Sequence, residues 1–216
     1  MNVEQARFNM IEQQIRPWDV LDQGVLSLLS LVKREDFVPA AHKALAFMDT
    51  EIPLPNGGHM LAPRVEARLL QELKVARHEK VLEVGTGSGY MAALLGHKAQ
   101  SVISLERDAQ QARLAADSLK RAGVMNVKVI EADGSQGLPS EAPFDVILLS
   151  GSVAEVPQAL LDQLKPGGRL AAIVGELPMM YATLYTRESG GVRSQVLFDT
   201  VAPRLAGFAQ PSSFSF

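Results

Sequence analysis

The chain has 216 residues, 47% of them hydrophobic, a formal charge of -3 and no cysteine. That length and apolar content predict one domain with a sizeable core and room for an appended subdomain. The charge argues against nucleic acid held on a broad phosphate-binding surface, and the missing thiols exclude disulfides and zinc–thiolate sites.

No apolar run approaches the roughly 18 residues of a membrane span. Residues 1–14 are polar and mixed in charge, unlike a signal peptide. The expectation is a soluble cytoplasmic enzyme with no membrane and no nucleic-acid partner.

At the N-terminus, Phe8, Ile11 and Ile15 recur at helical spacing, and Pro17 stops that helix. Asp22 caps a second helix carrying Val25, Leu28, Leu29 and Val32 on one face. Together they predict a small N-terminal helical cap, whose plainest role is to cover a sheet face. Residues 34–39 read as a turn packed by Phe37, 44–48 as a short helix or irregular connection, and 52–59 as a loop. Pro63 suits the first turn of a helix. An apolar stripe of Val65, Leu69 and Leu73 follows, with Arg64, Glu66 and Arg68 facing elsewhere.

From Lys80 strand and helix alternate. Strands are predicted at 81–84, 101–105, 127–131 and 144–149, and helices near 88–96, 108–122 and 156–164. Asp108 caps the second of these helices and Ala122-Gly123 ends it. Residues 165–168 close the third and turn into a strand at 169–174. The alternation predicts an α/β, Rossmann-like, doubly wound and mostly parallel sheet with helices on both faces. Right-handed crossovers then bring the strand ends to one edge. Two β-rich runs, 181–186 and 194–198, flank a turn at 188–191 and predict an antiparallel C-terminal hairpin. The tail, 211–216, is expected to fray.

The run Val81-Leu82-Glu83-Val84-Gly85-Thr86-Gly87-Ser88-Gly89-Tyr90 carries a buried strand into a glycine turn. Glycine permits positive φ and close approach of another molecule to the main chain. The N–H groups opening the next helix face the same place. Such a turn at a strand's carboxyl end is where open α/β sheets bind ligands, although the pattern alone is a weak signal. Glu106 ends the second strand, near the usual spacing of roughly 20 residues for an acid that takes two ribose hydroxyls. Asp133-Gly134 follows the third. Glycine turn, acid, then acid plus glycine describe a nucleoside pocket.

Each of these residues has a plainer reading: Glu106 as a solvated strand-end acid and Asp133 as a turn aspartate. Asp145 reads as structural and Trp18 as a packing residue. His42, His78 and His97 read as surface histidines, and no pair has metal-ligand spacing, so no metal site is expected. Met60, Met179 and Met180 read as adaptable apolar lining.

The run Val81 to Tyr90, with Glu106 and Asp133-Gly134, resembles the S-adenosylmethionine site of class I methyltransferases. Within that class it resembles the protein-L-isoaspartate O-methyltransferase family. Supporting pieces are Met10-Ile11-Glu12-Gln13-Gln14-Ile15, Arg34-Glu35-Asp36-Phe37-Val38-Pro39, Ala142-Pro143-Phe144-Asp145, Gln163-Leu164-Lys165-Pro166-Gly167-Gly168-Arg169 and Val174-Gly175. The resemblance spans nearly the whole chain. It implies S-adenosyl-L-methionine as methyl donor, S-adenosyl-L-homocysteine as product, and the isoaspartyl residue of a damaged protein or flexible peptide as acceptor.

It implies cofactor contacts from Glu83, Gly85, Thr86, Gly87, Ser88, Gly89, Tyr90, Glu106, Arg107, Asp133 and Gly134. Glu106 would face the ribose hydroxyls and Asp133 the adenine amino group. Gly134 would let the ring lie on backbone, and Glu83 would face the cationic end. The same resemblance divides the chain into a helical cap with acceptor loop (1–62), a cofactor-binding core (63–210) and a tail (211–216).

The acceptor loop departs from the family. There the family reads Gly-Gln-Thr-Ile-Ser, then a residue and Pro, and its serine lies beside the transferring methyl. This chain has Gly57-Gly58-His59-Met60-Leu61-Ala62-Pro63, so Leu61 takes the serine position and His59 the threonine position. The hydroxyl is absent, and the loop is short relative to Pro55. His59 stands as a substitute donor, or more plainly as a solvated loop residue. A glutamine expected after Val174-Gly175 is missing, and Ser150-Gly151-Ser152 replaces a Thr-Ala-Ala-like turn. Three other readings therefore stay open: a diverged methyltransferase with a small apolar acceptor, a non-catalytic cofactor-binding module, and a nicotinamide dehydrogenase.

Overall fold

The computed structural model describes residues 2–210, so the tail expected to fray lies outside the described residues. The chain begins with helices α1 (Val3–Met10) and α2 (Gln23–Leu31), a two-residue ladder of β1 (Ile52–Pro53) and β2 (His59–Met60), and helix α3 (Pro63–Leu73). The core then runs β3 (Lys80–Val84), α4 (Tyr90–Lys98), β4 (Ser101–Glu106), α5 (Ala109–Arg121), β5 (Val127–Glu131), β6 (Phe144–Val153), α6 (Gln158–Leu161), β7 (Leu164–Glu176), β8 (Met179–Glu188) and β9 (Gly191–Asp199). Seven strands form one sheet in the order β5-β4-β3-β6-β7-β8-β9. The first five are parallel, and β8 and β9 add an antiparallel hairpin. This is the mostly parallel architecture expected from the sequence.

Successive residues of a strand point to opposite faces, and both faces here are buried. Val81, Val102, Val146 and Ala171 pack with α2, α3 and α4, whereas Leu82, Ile103, Ile147 and Leu170 pack with α6 and Phe208. Asp22 and Asp108 cap their helices as expected, accepting from the N–H of Val25 (3.0 Å) and of Gln111 (2.7 Å). Pro63 opens α3. Asp145 is structural, accepting from Lys80 N (2.8 Å) and Lys165 Nζ (2.7 Å).

Several expectations are corrected. The inward face of the first helix is Arg7, Met10, Ile11 and Ile15, and Phe8 is 58% exposed. Arg7 goes inside because Glu35 and Glu4 neutralise it there, which turns Phe8 outward. Pro17 does not stop a regular helix. Residues Ile11–Ile15 form a wider π turn, Arg16–Trp18 a 3-10 turn that includes Pro17, and the run ends at Asp19 with φ of 60°. The loop at 52–59 closes on itself through the Ile52–Met60 and Pro53–His59 pairs.

The predicted helix at 156–164 shrinks to four residues because Leu164 joins the sheet opposite Phe144. The turn at 165–168 is an irregularity inside β7, and pairing resumes at Val146–Arg169. Strand β6 does not end at Leu149. It continues to Val153 because Ser152 and Val153 pair with Ile173 and Val174 of β7 past a register shift, and the segment after β9 returns on the other side, with Ser152 N donating to Pro203 O (2.8 Å) and Leu205 N donating to Ser152 O (2.9 Å).

Glu66 is the largest correction. Rather than facing away with Arg64 and Arg68, it is buried against Arg34, which is itself fully buried. Arg34 Nη1 donates to Glu66, and Nη2 donates to Leu61 O at 2.9 Å. The guanidinium also lies 5.1 Å from the Tyr90 ring centroid. Burial pushes the Glu66 carboxyl up to about 7 even though Arg34 pulls it down. Removing one member of such a pair strands a charge in a dry interior. Arg34→Ala is expected to cost about 3–5 kcal/mol of folding stability, measured by urea denaturation. Arg34→Met combined with Glu66→Leu should recover most of that loss.

Candidate active site

The carboxyl ends of β3, β4 and β6 border a cleft of about 240 Å³. The glycine turn enters it after β3 with φ of 92° at Gly85, 52° at Gly87 and 86° at Gly89, values that a side chain would strain. Glu106, buried at the end of β4, ties the turn to the neighbouring strand. One of its oxygens accepts from Gly87 N (2.9 Å) and the other from Asp108 N (3.1 Å). Gln111 Nε2 holds the Gly87 carbonyl at 2.6 Å. Each Glu106 oxygen keeps a lone pair for a further donor.

Beneath the turn, Glu83 is completely buried. Its two oxygens accept from Ser104 Oγ (2.6 Å) and Ser150 Oγ (2.7 Å). When Glu83 is ionised, Ser104 spends its proton on it and Thr86 donates the 2.6 Å hydrogen bond to Ser104. Burial pushes the Glu83 carboxyl up to about 7. The two serines pull it down, and nearby Glu66 and Glu106 raise it.

The expected site residues fall into four groups. Gly85, Gly87, Glu106, Arg107, Gly134, His59 and Leu61 line the cleft. Glu83, Thr86 and Ser88 border a recess of about 20 Å³ that shares His59, Leu61 and Ser150 with it and also reaches Glu66. Asp133 is exposed beside Ala132 and Gly134, which line the cleft. Its carboxyl lies below the usual range because it accepts from Ser135 N (2.9 Å).

Gly89 and Tyr90 are turned away from the cleft. The φ of 86° at Gly89 already favours glycine, and a Cβ there would also lie a tight 3.3 Å from Ala115 O of α5. Tyr90 is buried against Phe37, ring centroids 5.6 Å apart, and its hydroxyl has no partner. At Gly134 the reason for glycine also differs from the expected one. A Cβ would lie 2.4 Å from a Val84 methyl, so packing against β3 already excludes a side chain.

Sequence reasoning missed Pro203, Arg204 and Leu205, which form one wall of the cleft. Leu205 packs so closely over the turn that a Cβ on Gly85 would lie 2.7 Å from it. No local signal marks this segment, since only its pairing with Ser152 brings it there. Glu66 was missed because a charge at that helical position ordinarily faces water.

A larger cavity, about 680 Å³, opens between α3 and the ends of β8 and β9. It holds neither the glycine turn nor the strand-end acids. Trp18 and Phe198 serve there as platforms for Arg64 (4.1 Å) and Arg68 (4.9 Å). His78 and His97 are exposed and His42 half-buried, and among the described residues no three His, Cys, Asp or Glu side chains gather as a metal site.

A model of the family described as protein-L-isoaspartate(D-aspartate) O-methyltransferase matches residues 5–202. The chain is 42% identical over 185 residues to the protein-L-isoaspartate O-methyltransferase of Koribacter versatilis, covering 86% of this chain and 83% of that one. A solved protein-L-isoaspartate O-methyltransferase superposes with a TM-score of 0.78 at 23% identity, over 93% of this chain and 66% of its own. A second, described as putative, comes from Plasmodium falciparum in complex with S-adenosyl-L-homocysteine. It superposes with a TM-score of 0.77 at 22% identity, over 94% and 97%. The chain therefore belongs to the protein-L-isoaspartate(D-aspartate) O-methyltransferase family, and it is an S-adenosylmethionine-dependent methyltransferase.

Proposed function

We propose that this enzyme methylates the isoaspartyl carboxylate of damaged proteins in the cleft between the glycine turn and the acceptor loop. The observation that carries this reading is the shared cavity. Glu106, the strand-end acid, and Leu61 and His59, the acceptor-loop residues, border the same space.

The donor set suits S-adenosylmethionine. Glu106 takes the ribose hydroxyls on its remaining lone pairs, Asp133 takes the adenine amino group, and Arg107 sits beside them. Gly85 and Gly87 admit the methionyl part against bare backbone, with Thr86 and Ser88 below. Glu83, already braced by two serines, faces the cationic end. Gly89 and Tyr90 act indirectly by seating the turn. The cofactor supplies a methyl group made electrophilic by its sulfonium.

The acceptor carboxylate is ionised at neutral pH and needs no base. The chain's task is to align the reacting groups and exclude water, and such positioning reaches effective molarities of about 10⁵–10⁸ M. Leu61 lends an apolar wall, and His59, exposed on β2, offers a donor at the mouth. The loss of the serine hydroxyl at Leu61 also favours a second reading, a methyltransferase with another acceptor.

Methyl transfer to an isoaspartyl peptide, measured against its aspartyl isomer, tests the proposal. Turnover of the isoaspartyl form alone is expected, and turnover of neither would favour the second reading. Glu106→Ala should weaken cofactor binding about ten- to hundredfold, the range for loss of a charged acceptor, as read by calorimetry.

Glu83 makes cofactor binding depend on pH. Its carboxyl titrates near 7 in the free protein, and only the ionised form attracts a cation. Affinity for the cofactor should therefore fall as pH drops from about 7 toward 6. Glu83→Gln should bind weakly and lose that slope. The same raised value means that Glu83 favours folding below the unfolded pKa, near 4.5, and loses that contribution as pH rises through about 7.

A further inference from the structure

The cavity of about 680 Å³ contains none of the residues assigned to the cofactor, yet it adjoins the cleft. Ala62 lines the cavity and Leu61 lines the cleft, and consecutive Cα atoms lie about 3.8 Å apart. At a second wall Val201 lines the cavity and Pro203 the cleft. An extended polypeptide advances about 3.3 Å per residue. A chain whose acceptor side chain enters the cleft beside Leu61 therefore carries its next residues to the cavity.

The lining is open to water. Trp18 is 45% exposed and Met179 65%, and Tyr181 and Val201 are exposed beside them. Apolar side chains gathered on a surface mark an interaction site, and methionine adapts to partners of differing shape. The charges are unequal. Arg64 is paired with Asp49 at 2.8 Å, and Arg68 with Asp19 at 3.5 Å. Glu51 and Asp199 also line the cavity. Among the described residues neither of these carboxylates has an ion pair or a hydrogen bond. Burial raises the Glu51 carboxyl, with His59 pulling it the other way, and a cation set against it would relieve that cost.

We propose that this cavity holds the stretch of substrate polypeptide next to the acceptor residue and selects a basic side chain there, a lysine or arginine set against Glu51 and Asp199. The exposed rings and methionine side chains take the stem of that residue and its neighbours without demanding one sequence. The inference rests on the function proposed above and adds the flanking chemistry that the enzyme prefers.

The test uses the full chain and isoaspartyl peptides of equal length that differ only in carrying lysine, leucine or glutamate at successive positions beside the acceptor. At the position that reaches the cavity, lysine is expected to lower KM roughly three- to tenfold relative to glutamate, with leucine between them. Raised salt should shrink that difference. Glu51→Gln combined with Asp199→Asn should abolish it, leaving the KM of the leucine peptide and the Kd for S-adenosyl-L-homocysteine unchanged. Equal KM values at every position in the wild type, or a preference that survives the double variant, would overturn the proposal. Trp18 is the chain's one tryptophan, so its emission reports on the cavity whether or not a methyl group is transferred. If the wild type does not methylate the isoaspartyl peptides, the function proposed above falls, and the emission titration still decides the cavity. A lysine peptide that binds more weakly to the double variant than to the wild type upholds the proposal. Equal affinity, or an emission that no peptide alters, rules it out. Emission that changes with protein concentration alone would assign the cavity to a second copy of the chain and overturn the proposal.

Discussion

Hydrogen bonding of β3 to β4 on one side and to β6 on the other is the constraint on which the site depends. The register pairs Glu83 with Ser104 and with Leu148, and Val84 with Leu105 and Leu149. That alignment sets three strand ends level. The glycine turn, Glu106 and Ser150 therefore border one cavity although they are distant in sequence. A shift of one residue would reverse the facing of every side chain on β3 and carry Glu83 away from the serines that hold it.

The site also carries an electrostatic burden. Glu83 and Glu66 are both buried near the same recess, and burial raises both carboxyls to about 7. They are stabilised differently. Glu83 leans on the neutral hydroxyls of Ser104 and Ser150. Glu66 leans on Arg34, which also holds the Leu61 carbonyl, so one guanidinium braces both α3 and the stretch of chain just before it.

Much of this was legible locally. Short β-rich apolar runs marked the core strands, and Asp22 and Asp108 announced their helices through capping chemistry. The glycine turn and Glu106 were found because their spacing reflects one βαβ unit. What failed locally failed for tertiary reasons. Phe8 was assigned inward by periodicity, but Arg7 took the inner face because Glu35 waits there. Strand β6 was cut short at Leu149 because its last residues pair with β7 only beyond a register shift and with a segment some 50 positions later.

The amino-acid sequence by itself determined the alternation of strand and helix, the antiparallel hairpin and the glycine turn after β3, because each is encoded in side chains within a few residues of one another. Only the tertiary structure decided that Glu66 lies inside, that Gly134 is glycine for packing, and that Arg204 and Leu205 wall the cleft. Those outcomes depend on which distant surface meets which, and a buried charge or a bare Cα becomes tolerable only once its partner has arrived.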